Sequence, residues 1–317
     1  MKKLFALVFL FSFLFTYSQV RIGSYDGDSH AVVYNNGWGD GDSYIHIGNN
    51  AGVDANSTGT YFTNIGYAAG RYNSSMNFNV HLGYAAGNRG TEAIKNVAIG
   101  AYAMYANSGS NMTGDNSTSV GHESMYNISS GYNNSGLGYQ SFYNLTTGYN
   151  NTAIGNFAGD ALLTGYNNTY LGNSTDASST SAINQTMIGY DATGQADNSV
   201  TLGNSDVTAI YMAEDSGATI YAGNATFGGD VTISSDIRLK SNIVSLGSTL
   251  SKLLLIDGKS YTMNSDGKDK IGVLAQEVQE VFPELVGEDT EGMLTVNYQG
   301  LVPVLINALK EQESKIN

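Results

Sequence analysis

The sequence GYNNTAIGNFAGDALLT at positions 148–164 decides the fold, because related versions of it lie directly before and after it. GYNNSGLGYQSFYNLTT fills 131–147 and GYNNTYLGNSTDASSTS fills 165–181, so the three copies repeat every 17 residues. A fixed period of this kind is the sequence mark of a solenoid or array. Glycine and asparagine are too frequent for a helix pair, so two short strands and two turns per coil fit the unit better.

An aliphatic residue followed by glycine extends this pattern over most of the chain. The ten pairs end at Gly48, Gly66, Gly83, Gly100, Gly121, Gly138, Gly155, Gly172, Gly189 and Gly203, with spacings of 18, 17, 17, 21, 17, 17, 17, 17 and 14 residues. We therefore predict a mainly β protein with a parallel β-solenoid shaft over residues 47–203, preceded by a lead-in at 19–46. At ~4.8 Å per strand layer, nine intervals give a shaft segment of about 43 Å.

Two rows of side chains are expected to hold the coils together. The aliphatic residue before each glycine is predicted to stack on its copies and form a narrow apolar core. Asparagines four or five residues before the glycine are predicted to form a ladder that satisfies turn amides. These asparagines are Asn96, Asn116, Asn134, Asn151, Asn168 and Asn184. Residues 204–234 alternate like strands, and we interpret them as a β neck.

The N-terminus has the features of a secretory signal peptide over residues 1–18. Lys2 and Lys3 form the positive region, residues 4–15 form the apolar core, and residues 16–18 form a small-residue exit. About twelve apolar residues fall short of the ~20 that are needed to cross a bilayer. We therefore expect a secreted or cell-surface protein with no membrane span after removal of the signal.

The composition excludes several classes of function. Cysteine is absent, which excludes disulfides, thiolate metal sites and cysteine nucleophiles. The net charge is −14, and residues 20–234 hold four basic and sixteen acidic residues, a net charge of −12. Such a body repels phosphate backbones, so nucleic-acid binding is not expected. No cofactor and no metal site is expected either.

From residue 235 to the end, ordinary helix and strand patterns predict a small α+β domain. Helical spacing covers 246–256 and 275–282, a hairpin joins 259–263 to 270–274, a strand covers 294–298, and a terminal helix covers 301–316. Leu301, Leu305, Ala308 and Leu309 share one stripe of the terminal helix. We interpret this stripe as a trimer seam.

Ser235 and Lys240 lie five residues apart at the start of this domain, in the stretch SSDIRLK at 234–240. A serine attacks an acyl carbon only if a nearby base takes its proton, and an uncharged lysine amine can be that base. Lysine becomes neutral near pH 7 when it is desolvated. The alternative interpretation is a simple turn, with Lys240 as a solvated surface charge.

Several blocks of the domain carry a family resemblance. They are SDIRLKSNI at 235–243, IGVLAQEV at 271–278, VFPELV at 281–286, VNY at 296–298 and LVPVL at 301–305. In this order they resemble the intramolecular chaperone of bacteriophage endosialidases and tail fibres, which is also found in myelin regulatory factor. The resemblance implies a module that trimerises, assists the folding of a β-rich shaft and then cuts itself off with a Ser-Lys dyad.

Carried over by position, the resemblance implies that Ser235 is the nucleophile and Lys240 the general base. We expect the cut at the Ser234–Ser235 bond, with the Ser235–Asp236 bond as an alternative. Asp236 and Arg238 also match the family motif. They either orient the dyad or the scissile turn, or they form a surface salt bridge.

The repeats are similar to the heads of trimeric autotransporter adhesins, which share an Asn-x-x-Ile-Gly pattern at a shorter period. A thin solenoid buries little, and trimerisation side by side would supply the missing burial. Slow, non-local β pairing exposes sticky edges, which explains the need for a chaperone.

Other constellations are weaker candidates for a site. The histidines are His30, His46, His81 and His122. His46 and His81 share a face, but Asn64 takes the intervening coil, so one metal ion cannot bridge them. The stretch GDGD at 39–42 is similar to calcium-binding repeats but occurs once. No acidic pair is framed by a glycosidase motif.

We predict an exported, trimeric, fibre-like or adhesin-like protein whose C-terminal chaperone is released by a single self-cleavage. The alternative is a secreted protein that binds or degrades surface glycans with the solenoid flank. Tyr67, Tyr84, Tyr139 and Tyr190 follow repeat glycines and either stack on sugars or simply cover that flank. A phage tail spike is a further alternative, but phage fibres assemble inside the cell, which disagrees with a signal peptide.

Overall fold

The repeat builds a parallel β-solenoid in which each coil adds one short strand to a single sheet. The structure is a computed structural model. It describes residues 20–23, 30–35, 43–52, 61–73, 77–107, 111–213, 220, 222, 225–289 and 291–316. The predicted signal peptide at 1–18, the GDGD stretch at 39–42 and the side chain of His30 lie outside this description.

Within these residues, twelve strands form one sheet in chain order. They are β1 (Val20–Gly23), β2 (His30–Asn35), β3 (Ser43–Ile47), β4 (Phe62–Ile65), β5 (Val80–Leu82), β6 (Val97–Ile99), β7 (Thr118–Val120), β8 (Ser135–Leu137), β9 (Thr152–Ile154), β10 (Thr169–Leu171), β11 (Gln185–Ile188) and β12 (Ser199–Leu202). The β1–β2 and β2–β3 pairs are antiparallel, and every later pair is parallel. The predicted parallel solenoid with coils of about 17 residues is confirmed.

The aliphatic residue before each repeat glycine lies on the outer face of the sheet, so the prediction that it forms the core is wrong. Leu137 is 50% exposed, whereas Ala153, in the middle of its strand, is fully buried. The strands are mostly three residues long, and successive side chains point to opposite faces. The middle residue therefore faces inward, and the first and third residues face outward.

The interior is filled by the middle residues of the strands and by side chains from the turns. Its large, fully buried members are Met104, Met112, Met125, Ile128, Phe142, Leu145, Leu162, Tyr170 and Met187. Alanines such as Ala98 and Ala153 fill the space between them. The core is therefore built from residues that do not repeat strictly, while the strictly repeated aliphatic residue is left outside.

A ladder of buried side-chain amides runs from coil to coil, and four of the six predicted asparagines belong to it. Asn96, Asn134, Asn151 and Asn168 are buried, four residues before their glycines. The side-chain amide of Asn151 donates to Asn134 Oδ1 at 3.1 Å and to the Gly165 carbonyl at 2.8 Å. Its Oδ1 accepts from the backbone amide of Asn168 at 2.9 Å.

Asn116 and Asn184 do not belong to this buried ladder, which corrects the prediction for these two residues. Each lies five residues before its glycine and has a positive φ, 56° and 52°. The buried position is taken by Ser117 and Gln185. Asn184 instead donates to Asn198 Oδ1 at 2.9 Å on the exposed side. Asparagine adopts the left-handed conformation more readily than most residues, which explains its use at this turn position.

The region after β12 does not form the predicted β neck in the residues that can be described. Residues 204–213 and 225–234 contain no strand, and their apolar side chains, such as Tyr211 and Phe227, are exposed. Alternation of apolar and polar residues yields a strand only where a second strand is available for pairing.

The chain divides into two units, Met1–Thr219 and Ile220–Asn317. The predicted boundaries at residues 234 and 235 stay predictions. The second unit contains α1 (Leu250–Leu253), β13 (Lys259–Thr262), β14 (Asp269–Gly272), α2 (Ala275–Val281), β15 (Val286–Glu288), β16 (Leu294–Val296) and α3 (Leu301–Ile316). The predicted hairpin is confirmed as the antiparallel β13–β14 pair. The helix predicted at 246–256 is reduced to one turn, because Gly247 adopts a positive φ of 66° before it.

A small core joins α2 to α3. Val278, Phe282 and Val304 are buried, and Leu253 of α1 packs against them. Thr249 Oγ1 donates to the Val304 carbonyl at 2.9 Å, which ties the start of α1 to the terminal helix. This unit therefore has a hydrophobic core of its own, although a thin one. Among the described residues of the chain, no helix is long and apolar enough to cross a membrane.

Candidate functional site

A short 3-10 turn shapes the stretch that holds the predicted dyad. Ile237–Leu239 form the turn, and the Asp236 side chain caps it by accepting from the Arg238 backbone amide at 2.8 Å. The backbone amide of Lys240 donates to the Ile237 carbonyl at 3.1 Å. The turn folds the chain back, so the residues on either side of it approach each other.

The structure brings the two predicted catalytic side chains into contact. Lys240 Nζ donates a hydrogen bond to Ser235 Oγ across 2.6 Å. This distance is within the range at which a general base takes a proton from a nucleophile. The ammonium form can only donate, so the amine must lose its proton before it can accept the serine proton. Both residues are exposed to solvent in the single chain.

Asp236 and Arg238 form an ion pair with each other. Arg238 Nε lies 3.0 Å from Asp236 Oδ1, and Arg238 Nη2 lies 2.8 Å from Asp236 Oδ2. This bidentate pair lowers the pKa of the Asp236 carboxyl, through the side-chain hydrogen bond first and the backbone hydrogen bond second. Because Asp236 also caps the turn, the pair helps to set the geometry that joins Ser235 to Lys240.

Apolar side chains in the turn and shortly after it are left uncovered in the single chain. Ile237 and Leu239 in the turn are 72% and 70% exposed, and Val244 beyond it is 84% exposed. Isolated apolar side chains on a surface are ordinary, but a dense group of them marks an interaction site. A partner that covered these residues would also exclude water from the hydroxyl and the amine.

The terminal helix α3 offers a second uncovered apolar surface. Leu305 and Leu309 of the predicted seam are exposed, whereas Ala308 is buried together with Val304. Ala308 therefore belongs to the core of its own domain, which corrects the predicted stripe. Val302 and Ile306 are also exposed, and they share one face of the helix with Leu305 and Leu309.

The two described inner histidines occupy different coils, as predicted. Asn64 lies between them, with its amide nitrogen 3.1 Å from His46 Nδ1 and its Oδ1 2.6 Å from His81 Nδ1. A hydrogen-bonded ladder therefore joins these three side chains from successive coils. His81 is fully buried, and desolvation lowers its pKa to about 4, with a smaller contribution from His46.

The part of the chain that begins at the predicted dyad matches a known protein family. Residues 235–287 match the family model described as the chaperone of endosialidase. The C-terminal segment is an intramolecular chaperone domain of this type. The match begins at Ser235 and continues into β15, so it includes the turn, the hairpin and α2. It covers well under half of the chain and does not include the solenoid. No curated protein matches the chain.

Sequence reasoning missed one concentration of side chains on the solenoid. Tyr102, Tyr105, Tyr126 and Tyr143 lie on one flank with Tyr84 and Tyr139, and only the last two follow a repeat glycine and were predicted on that ground. The 17-residue spacing of Tyr126 and Tyr143 is the signal that predicts their stacking.

Proposed function

We propose that this protein is an exported, trimeric, fibre-like molecule whose C-terminal chaperone domain assists assembly and then releases itself by Ser-Lys autoproteolysis. The observation that carries this proposal is the 2.6 Å contact between Lys240 Nζ and Ser235 Oγ at the start of the segment that matches the chaperone family. Export is supported by the signal-like N-terminal sequence alone.

The proposed reaction is an acyl shift followed by hydrolysis. Neutral Lys240 takes the proton of the Ser235 hydroxyl, and Ser235 Oγ attacks the carbonyl carbon of Ser234. An ester bond forms between these two residues as the peptide C–N bond breaks, and Lys240 returns the proton to the departing nitrogen of Ser235. Water then hydrolyses the ester, which leaves a carboxylate on Ser234 and a free amine and hydroxyl on Ser235.

Assembly would remove water from Lys240, whose side chain is exposed in the single chain. Desolvation or a nearby positive charge favours the neutral form of a lysine amine. Ile237, Leu239 and Val244 are close in sequence to the pair and exposed, so contact with another copy that buried them would also exclude water from Lys240. Cleavage would then follow trimer formation rather than precede it.

The outer face of the solenoid supports the trimer. We define the outer aliphatic row as Ile47, Ile65, Leu82, Ile99, Val120, Leu137, Ile154, Leu171, Ile188 and Leu202. Each member pairs directly with the next one in the strand register, so the row is continuous along the sheet. A continuous apolar row of this length is rarely left in water. Parallel copies have the same axial period, so their rows can meet along the whole shaft.

The test is expression of the parent chain beside Ser235→Ala and Lys240→Ala, with Ser241→Ala as the matched control. We expect a free body and an 83-residue fragment from the parent and from the control. Both dyad variants should give one intact chain on denaturing gels and, under native conditions, a mass three times that of the intact chain, whereas the cleaved parent gives three times the mass of its body. An uncut parent after complete folding, or a cut that persists in Ser235→Ala, would refute the dyad.

A further inference from the structure

Two rows of aromatic rings lie side by side on one flank of the solenoid. Tyr105, Tyr126 and Tyr143 form the first row, with centroid distances of 5.2 and 5.1 Å and nearly parallel rings. The second row contains Tyr102, His122 and Tyr139. Tyr102 also joins the rows, because its ring centroid lies 5.2 Å from that of Tyr105 and 6.2 Å from that of Tyr126. We call these six residues the aromatic flank.

A polar seam runs beside both rows. Gln140 Nε2 donates to Glu123 Oε2 at 2.5 Å, and His122 Nδ1 lies 3.7 Å from the same oxygen. Burial, followed by the nearby Glu123 and Tyr139, raises the pKa of the Tyr143 hydroxyl, so Glu123 lies close to both rows. A carboxylate has two oxygens with about four acceptor sites, so these contacts use only part of its capacity.

The fold does not require aromatic residues at these positions. In the coil that follows Gly172, Asn173 and Ser174 occupy the equivalent turn, and Ser174 adopts a φ of 54°. Tyr102 holds the same backbone conformation with a φ of 58°, which is unfavourable for a bulky side chain. The conformation itself belongs to the coil, because Ala85, Gln140 and Phe157 adopt it at the same position. The aromatic flank is therefore an addition to the solenoid and not a part of its core.

We propose that the aromatic flank binds a neutral polysaccharide whose chain runs along the solenoid axis. The tyrosines of the first row are stacked on one another, so they offer their ring edges and hydroxyl groups to the sugars. Side chains such as Glu123 and Gln140 bind further hydroxyl groups. This combination of apolar surface and a few placed polar groups is typical of small-molecule sites. His122 and Tyr139 are 46% and 41% exposed, so the flank is accessible in the single chain.

The net charge of the solenoid region and the spacing of the stacked rings indicate the class of ligand. Residues 20–234 carry a net charge of −12, and Glu123 lies in the seam itself, so an acidic polysaccharide would be repelled. The rings recur at 5.1–5.2 Å along the axis, which is close to the length of one sugar ring. A linear polymer therefore meets equivalent contacts on successive coils, and weak contacts at each coil add up along the chain.

Affinity electrophoresis of the full-length protein tests the proposal with hydroxyethyl cellulose and galactomannan as neutral probes and alginate as the acidic probe. We expect the neutral gels to retard the parent and alginate to leave it unaffected. Tyr126→Ala and Glu123→Ala should each weaken the retardation, Tyr126→Ala by about tenfold in affinity. Tyr149→Ala is the matched control, because Tyr149 stacks at 4.8 Å on Tyr166 in a separate ladder.

Circular dichroism and light scattering on every variant separate binding from folding and from assembly. The proposal holds if Tyr126→Ala and Glu123→Ala keep the parent spectrum and mass, and lose retardation while Tyr149→Ala retains it. It is overturned if no neutral probe retards the parent, if alginate alone does so, or if Tyr149→Ala weakens binding as much. Loss of the assembled mass in Glu123→Ala, with an unretarded parent, would identify the flank as a contact between copies instead.

Discussion

The solenoid and the C-terminal unit differ in where they keep their large apolar side chains. In the solenoid, Phe142, Leu145 and Met187 are fully buried within a single chain. In the C-terminal unit, the large side chains of Ile271 and Leu254 are 86% and 74% exposed. The first region completes an interior with its own coils, whereas the second leaves much of its apolar surface exposed in the single chain.

This difference suggests separate roles for the two regions, one in stability and one in association. A coil is stabilised by the coils on either side, so the solenoid interior needs no second chain. In the proposed trimer, the exposed residues of the C-terminal unit would gain burial through association of copies. A chaperone domain that is incomplete alone is well suited to collect copies before the slow pairing of their strands.

The largest expected effect comes from a repeat glycine. A Cβ added to Gly155 would overlap the carbonyl oxygen of Gly172 in the next coil, and Gly155 has a φ of 139°. Gly155→Ala should therefore destabilise the solenoid by more than about 5 kcal/mol or prevent its folding. Gly258→Ala is the control, because no atom lies within 4 Å of the added Cβ. Urea unfolding measures both, and equal midpoints would contradict the close packing of the coils.

A buried amide should be nearly as important. Asn151→Ala leaves the Asn168 backbone amide and the Gly165 carbonyl without partners, which costs about 4 kcal/mol at 1–3 kcal/mol per buried group. Asn150→Gly, at the exposed neighbour with a φ of 56°, should change the stability by less than about 1 kcal/mol. If the two variants unfolded at the same urea concentration, the buried ladder would not stabilise the coils.

Acid should weaken the solenoid through His81. Its pKa in the folded chain is about 4, below the ordinary 6.5, so the unfolded chain binds the proton first as the pH falls. The stabilisation is complete above pH 6.5 and is lost towards pH 4, at a cost of roughly 3 kcal/mol. His81→Gln should show a shallower loss of unfolding free energy over the same range, and an unchanged slope would exclude His81 as the cause.

A change on the outer aliphatic row should have the smallest effect on the stability of one chain. Leu171 is 44% exposed, so Leu171→Ser should change the unfolding free energy of the monomer by about 0.5 kcal/mol or less. It should nevertheless reduce the three-fold mass seen by light scattering, whereas Leu163→Ser on an exposed turn should not. An unaltered mass for Leu171→Ser would remove the row from the interface.

The sequence predicted the coils of the solenoid correctly, but not which side chains of each strand face the interior. The 17-residue period gave the parallel coils, because a repeat at fixed spacing must place equivalent residues in register. It did not show that Leu137 and its equivalents face outward, since a three-residue strand has apolar residues on both faces. The pairing of Ser235 with Lys240 came from a family resemblance, because five-residue spacing alone does not specify the turn between them.

The most direct test of self-cleavage is the mass and N-terminal sequence of the C-terminal product. Self-cleavage by the dyad predicts a fragment that begins at Ser235 and a body that ends at Ser234, both formed by purified protein without any added protease. A fragment that began at another residue, or an assembled protein that kept a single intact chain, would contradict it.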